Sequence, residues 1–181
     1  MLMKKIIFII LLGFTCRMGI SQLFNSGNLL DQGKFSAGVA PAYFINGSNG
    51  TPLLFLYGNY NLRNDIAFNL KIGSSISKAY FGAGMTWGLG NGFTLGTGVH
   101  NYDYFGIDLN VLYNAHLSKD ARLFTGLNSS VLFASEARLP IWIPLGVEVN
   151  IRENLSFILE TQIAITKPAY HIISAGVVYY F

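Results

Sequence analysis

Residues 66–72 read Ile66-Ala67-Phe68-Asn69-Leu70-Lys71-Ile72. In an extended chain successive side chains point to opposite faces, so Ile66, Phe68, Leu70 and Ile72 share one face, and Ala67, Asn69 and Lys71 share the other. The same period of two recurs along the chain. Phe105, Ile107, Leu109, Val111, Tyr113 and Ala115 alternate with Asp108, Asn110, Asn114 and His116. Ile141, Ile143, Leu145, Val147, Val149 and Ile151 alternate with Trp142, Pro144, Gly146, Glu148 and Asn150. Leu155, Phe157, Leu159, Thr161 and Ile163 alternate with Ser156, Ile158, Glu160 and Gln162. One face of each segment is apolar. The second is mostly Gly, Asn, Ser and Thr, with few charges.

The N-terminal segment reads as a leader, residues 1–21, ahead of one domain over residues 22–181. Lys4 and Lys5 form a charged n-region, and Ile6 to Phe14 an apolar run of about nine residues, far short of the ~20 that span a bilayer as a helix. Gly19-Ile20-Ser21 offers small residues at positions −3 and −1 of a cut before Gln22. A lipoprotein cut at Cys16 is disfavoured by Gly13-Phe14-Thr15 before it. The whole sequence carries 12 Lys+Arg and 9 Asp+Glu, a net charge of +3. Lys4, Lys5 and Arg17 leave with the leader, so the mature chain is neutral and its charge gives no reason to expect a nucleic-acid partner. Cys16, the one cysteine, leaves too, which excludes disulfides and thiolate chemistry.

Hydrophobic residues make up 51% of the sequence and charged residues only 12%, with a mean hydropathy of +0.41. Soluble domains carry about 25% charged residues. No apolar run of ~18 or more follows the leader. In lipid every backbone N–H and C=O must be paired, and a closed barrel achieves this with strands alone. The expectation is an all-β fold: a closed antiparallel up-and-down transmembrane barrel. Tight polar turns at 62–65, 89–92, 117–120 and 151–154, with loops between them, divide the chain into ten strands. These cover about 33–45, 51–62, 66–74, 79–89, 93–101, 105–117, 121–132, 139–151, 155–165 and 170–181, with ends uncertain by ~2–4 residues. Eight strands is the alternative. Pro41 and Pro144 fall inside strands, where each removes a ladder donor, so a bulge or local break is expected at both. Residues 22–32 lack a period and read as a short lead-in.

Parity places Lys34, Lys71, His100, Asp108, His116, Arg122, Glu148 and Glu160 inside the barrel, with His116, Arg122 and Glu148 near one end on consecutive strands. A buried charge needs a partner, so these groups are expected to neutralise one another as a lumen polar network. Phe55, Tyr57, Leu112, Phe124, Trp142 and Ile158 also point inward and should occlude the lumen, since open channels take ~16–18 strands. Outward aromatics Tyr60, Phe68, Trp87, Phe93, Tyr113, Phe157, Tyr179 and Phe181 gather near one rim, and Tyr43, Phe81 and Phe105 near the other, as two membrane-interface belts. No catalytic, cofactor-binding or metal constellation is legible: His100, His116 and His171 are far apart, His171 points outward, and no serine clearly shares the depth of His100 or His116. Gly82-Ala83-Gly84 and Gly96-Thr97-Gly98 have strand spacing rather than that of a phosphate loop.

The chain ends Val177-Val178-Tyr179-Tyr180-Phe181, a strand that stops on an aromatic residue. This ending resembles the closing strand of bacterial outer-membrane β-barrels, in which the terminal aromatic helps the barrel-assembly machinery recognise the chain. The resemblance makes Phe181 an assembly signal, buried in its strand. With the Ile20-Ser21/Gln22 junction and hairpin turns such as Asn61-Leu62-Arg63-Asn64-Asp65, the mature region resembles the small outer-membrane barrel proteins common in Bacteroidota. That implies an outer-membrane location and contact with outer-membrane lipid, and the short loops leave lateral contacts in the membrane as one place for protein partners. It implies no substrate. The function expected is a largely plugged barrel in a structural or accessory role. The alternatives are a narrow pore or small-solute site in the polar lumen, and a soluble periplasmic calycin-like barrel with its faces reversed. An envelope-lipid hydrolase has no motif behind it.

Overall fold

A computed structural model describes residues 29–47, 49–76, 78–167 and 169–181. The expected leader, residues 1–21, and the expected cut before Gln22 lie outside the described residues. The strands are β1 (Phe35–Asn46), β2 (Asn49–Arg63), β3 (Ile66–Ser74), β4 (Ala79–Gly90), β5 (Phe93–Asn101), β6 (Phe105–His116), β7 (Ala121–Phe133), β8 (Ala137–Arg138), β9 (Ile141–Arg152), β10 (Leu155–Ala164) and β11 (His171–Tyr180). β8 is a two-residue strand that pairs only with β7. The other ten each pair antiparallel with two neighbours, and the β1–β11 pairing closes the ring. Carrying the register once around the wall shifts it by about 12 residues, which tilts the strands by ~40° and leaves a lumen narrow enough for side chains to fill.

Neither proline bulges its strand. Pro41 pairs with Leu54 and Pro144 with Gln162 in unbroken register. On their other sides the ladder is interrupted, between Val39 and Ala42 against β11 and between Thr125 and Asn128 against β9, and resumes without a slip. A missing N–H costs a bond on one side only, so a local break suffices. Register shifts occur instead at strand ends, at Asn61/Arg63, Gly88/Gly90 and Leu155/Ser156.

Within the ten long strands, Lys71, Asp108, Arg122, Glu148 and Glu160 all lie on the inner face; Arg63 and Arg152, each the last residue of its strand, are exposed. The outer face is aliphatic through its middle, with Leu54, Leu70, Leu109, Leu127, Leu145 and Leu159 among its exposed residues. Outward aromatics flank it. Tyr60, Phe68, Phe93, Tyr113, Phe157, Tyr179 and Phe181 are exposed and Trp87 is partly so, while Tyr43, Phe81 and Phe133 are exposed towards the other rim. From register and tilt, each group occupies a band ~10 Å tall, the two centred ~20 Å apart. Phe181 lies one residue beyond β11. Its N–H bonds the Phe35 carbonyl at 2.9 Å, but the residue is 56% exposed and its ring stacks on Phe35 at 4.1 Å. The expectation that this residue is buried holds for its backbone and fails for its ring.

The lead-in closes part of one end. Asn61 donates to the Leu30 carbonyl at 2.8 Å, Gly33 N–H bonds Asn61 O at 2.9 Å, and Gln32 N–H bonds Asn64 Oδ1 at 2.8 Å. Lys34, expected inside, is exposed and pairs with Asp31 at 3.0 Å, because it lies just before β1 at the mouth of the barrel, although its carbonyl still accepts from Asn61 N–H at 3.0 Å.

Inside, Trp142, Phe55, Phe124, Leu112, Ile158 and Ile172 are fully buried. Gly146 makes room for Phe124, since a Cβ there would overlap the ring. Gly146→Leu is expected to cost about 1–3 kcal/mol of unfolding free energy in detergent, as overpacked cores do. Gly47, at φ 58° with no atom within 4 Å of an added Cβ, should accept Asn at little cost. Urea titration of both variants checks the pair.

Candidate functional site in the barrel lumen

The ladder sets the lumen chemistry by bringing polar residues from separate strands into rows. One row runs Ser36–Asn59–Asn69–Gly84–Gly98–Asp108–Ser130 across β1 to β7. The next inward row contains Gly38–Tyr57–Lys71–Gly82–His100–Gly106–Leu132. Glu148 and Glu160 enter from β9 and β10.

Three polar groupings result. At the end bearing the chain termini, Arg122 and Glu148 are direct cross-strand partners. Arg122 Nε donates to Glu148 Oε2 at 3.2 Å, Nη2 donates to the same oxygen, and Tyr180 Oη donates to Oε1. Both carboxylate oxygens are therefore engaged, as burial of the pair requires. Asn150 accepts from Ser156 Oγ at 2.6 Å beside it. Midway, Gln162 Nε2 donates to Glu160 Oε1 at 2.7 Å. Higher still, His100 Nδ1 lies 2.8 Å from Asp108 Oδ2, and Ser130 Oγ donates to Asp108 Oδ1. His100 stacks on Tyr80 at 5.7 Å and 10°. Its ring lies where a Gly106 side chain would stand.

The carboxylate, not the imidazole, is the centre of this last trio. A serine hydrolase needs histidine in the middle, taking the proton of the hydroxyl. Ser130 bonds Asp108 instead, so the three groups form a hydrogen-bonded anchor for a buried carboxylate. Among the described residues no three His, Cys, Asp or Glu side chains gather as a metal site.

The sequence-derived lumen residues do not all share one environment. His100, Asp108, Arg122, Glu148 and Glu160 are buried and Lys71 is half-buried. His116 is exposed: it has inward parity but is the last residue of β6, and it lines a recess of about 90 Å³ at the mouth with Lys119, Asp120, Arg122, Glu148 and Asn150. Parity gives the face but not the depth at which the wall stops. Sequence reading missed Ser130, Tyr180 and Gln162. Ser130 could have been found, because the register Asp108↔Ser130 follows from the hairpin at 117–120. Tyr180 reaches Glu148 across a non-adjacent strand, which no local pattern reveals.

At the opposite rim, loop residue Lys78 contacts Asp103 at 2.5 Å and lies 5.8 Å over the Tyr102 ring. The hydrogen bond that Lys78 donates to Asp103 raises its pKa above the ordinary lysine value. Burial, then Asp103, raises the neighbouring Tyr170 phenol. Arg138 stands 5.8 Å over Tyr104.

No family model matches the chain, and neither does any curated protein. Its structure is similar to that of an outer-membrane channel from Pseudomonas putida F1, at 12% identity, covering 88% of this chain and 99% of that one, with a TM-score of 0.50. The KdgM porin is similar at 12% identity over 81% of this chain and 99% of that one, with a TM-score of 0.49. The N-terminal β-barrel domain of Pseudomonas aeruginosa OprF is similar at 12% over 84% and 100%, with a TM-score of 0.44. The first of these carries the comparison, and at such identity it speaks to fold alone. The fold is that of an outer-membrane β-barrel. It has ten strands in its wall, not eight.

Two outcomes follow from the lumen and rim geometry. Glu148→Ala strands the Arg122 charge and should cost about 3–5 kcal/mol, whereas Arg122→Met with Glu148→Leu should recover most of it. Urea unfolding in detergent reads both. Because Lys78 holds its proton to higher pH, its contribution to rim stability persists up to the unfolded lysine pKa of ~10.4 and is lost as pH rises through the raised folded value. Amine acylation at pH 9 should therefore label Lys78 more slowly than exposed Lys119, and Asp103→Asn should speed labelling of Lys78 alone.

Proposed function

We propose that this protein is an integral outer-membrane barrel whose lumen is closed by its own side chains and whose role is structural or accessory. The observation that carries the reading is the distribution of charge: charged side chains of the wall strands face inward, while the outer face is an exposed aliphatic band between two groups of aromatics. Such a face is stable in lipid and a liability in water. A soluble calycin-like barrel needs the reverse arrangement. Tyr60, Phe68, Trp87, Phe93, Tyr113, Phe157 and Tyr179, with Phe181, suit one membrane–water interface, where rings with an apolar body and a polar edge settle. Closure is supported by Trp142, Phe55, Phe124 and Leu112 filling the inside, by the Arg122–Glu148 ion pair at one end of the polar column and by the His100–Asp108 contact towards the other. This reading requires export through a cleaved leader, insertion by barrel-assembly machinery and contact with outer-membrane lipid, with no cofactor and no enzymatic step.

A narrow pathway is the second reading. It is favoured by the unbroken polar row from Ser36 to Ser130, which leaves part of the inner wall lined by Gly84 and Gly98.

Heat-modifiability in fractionated outer membranes, with planar-bilayer recording on the same material, tests the proposal. The expected result is a band that shifts on boiling and no discrete conductance. Recovery only in the soluble fraction, with no shift, contradicts the membrane reading. A shift accompanied by steady conductance steps contradicts closure and favours the second reading.

A further inference from the structure

The outer face of the wall is not even. Where β9 and β10 run together it carries a notch of about 330 Å³, lined by Leu123, Leu145, Val147, Leu159, Thr161 and Ile173 from β7, β9, β10 and β11. The register explains it. Leu145, Thr161 and Ile173 are successive cross-strand partners, so the short Thr161 stands between two longer side chains. In the next row Leu123, Val147 and Leu159 are partners in the same way, with the short Val147 in the middle. Thr161 and Val147 are diagonal neighbours, and together they leave the depression. Gly146 and Glu160 also border it. Both have inward parity, so they meet the notch with their backbone, and the Glu160 side chain turns to Gln162 in the lumen.

The lining is hydrocarbon in effect. Thr161 Oγ1 donates to the Ile172 carbonyl at 3.2 Å, so its hydroxyl is spent within the wall and its methyl is left for the notch. Thr125, the partner of Leu145 on β7, spends its hydroxyl in the same way on the Pro144 carbonyl at 2.9 Å. The notch therefore offers little to a polar solute. Leu145 and Leu159 belong to the middle of the aliphatic band, between the two groups of aromatics. At that depth a bilayer holds acyl chains, not headgroups. A gap beside apolar side chains forfeits dispersion contacts, and a tail in a concave site is touched on more sides than one lying on a flat wall. The volume lies at the lower end of the ~300–1,000 Å³ typical of small-ligand pockets, which suits a single chain.

We infer that this notch is a fixed site for one acyl tail of a membrane glycerophospholipid, seated against β9 and β10. The notch is continuous with the aliphatic band around it, so its occupant is drawn from the lipid that the band already meets. A two-tailed lipid can give one chain to the notch and leave the other in the bilayer. The inference rests on the membrane reading of the outer face and adds a place on that face where lipid is bound rather than merely adjacent.

The test is native mass spectrometry of the full-length mature chain, refolded into vesicles of phosphatidylethanolamine, phosphatidylglycerol and lipid A and extracted in mild detergent. Wild type should retain one phospholipid. Thr161→Leu fills the notch and should lower that occupancy about tenfold, the effect of losing contact with two buried methylenes. Thr97→Leu replaces an outward threonine on β5 whose hydroxyl also bonds a wall carbonyl, and should retain the lipid as wild type does. Should Thr161→Leu fail to refold, Val147→Phe fills the notch from β9 and reads the same quantity. Wild type without retained phospholipid, equal retention by the filled variant, or equal loss in Thr97→Leu overturns the inference. So does retained lipid A, or a lipid-free dimer that Thr161→Leu abolishes, which would make a second copy of the chain the occupant. Protein recovered only in the soluble fraction sinks the membrane reading, whereas a membrane-inserted barrel that retains no phospholipid sinks the site alone.

Discussion

A backbone amide surrounded by hydrocarbon has no water to bond, so every wall strand must find partners on both sides. The β1–β11 pairing meets that demand for the two terminal strands, which would otherwise be sheet edges. Strand number, stagger and tilt are linked once the ring closes, and they fix the width of the lumen. That width is one that side chains can fill. Even the prolines obey the constraint: each forfeits bonds on one side only, and the register on both sides is preserved.

Closure turns the usual economy of a protein inside out. Apolar side chains that would form a core face outward, and the few charges go inside, where each needs an answering group. Arg122 with Glu148 and Tyr180, and His100 with Asp108 and Ser130, are complete local answers. Glycines serve the same interior. Gly146 yields its volume to Phe124, and Gly106 yields to His100.

Much of the architecture was legible because a period of two has a single structural meaning once helices are ruled out. The strands over 66–74, 79–89 and 93–101 differ from the structure by no more than a residue. The inward placement of Glu148 opposite Arg122 came from parity and turn counting, though the pair is directly opposed rather than diagonal. What failed did so where parity carries no information. Lys34 sits just before β1 at the mouth of the barrel, and His116 is the last residue of β6. The start of β9 at Ile141 was obscured by Leu139 and Pro140, which follow the short β8. Contacts across the lumen, such as Tyr180 to Glu148, depend on the shear of the whole ring and have no local signature.

The two tryptophans of the chain allow the central claim, an apolar face turned to lipid and a filled interior, to be tested directly. Trp87 is on the outer face, whereas Trp142 is fully buried inside, its Nε1 donating to the Tyr170 carbonyl at 2.8 Å. Single-tryptophan variants, Trp142→Phe and Trp87→Phe, reconstituted in bilayers with brominated acyl chains separate the two. Strong quenching of Trp87 and little of Trp142 is the expected result. Quenching of Trp142 with Trp87 spared would show that the faces are reversed and that the barrel is not built for a membrane.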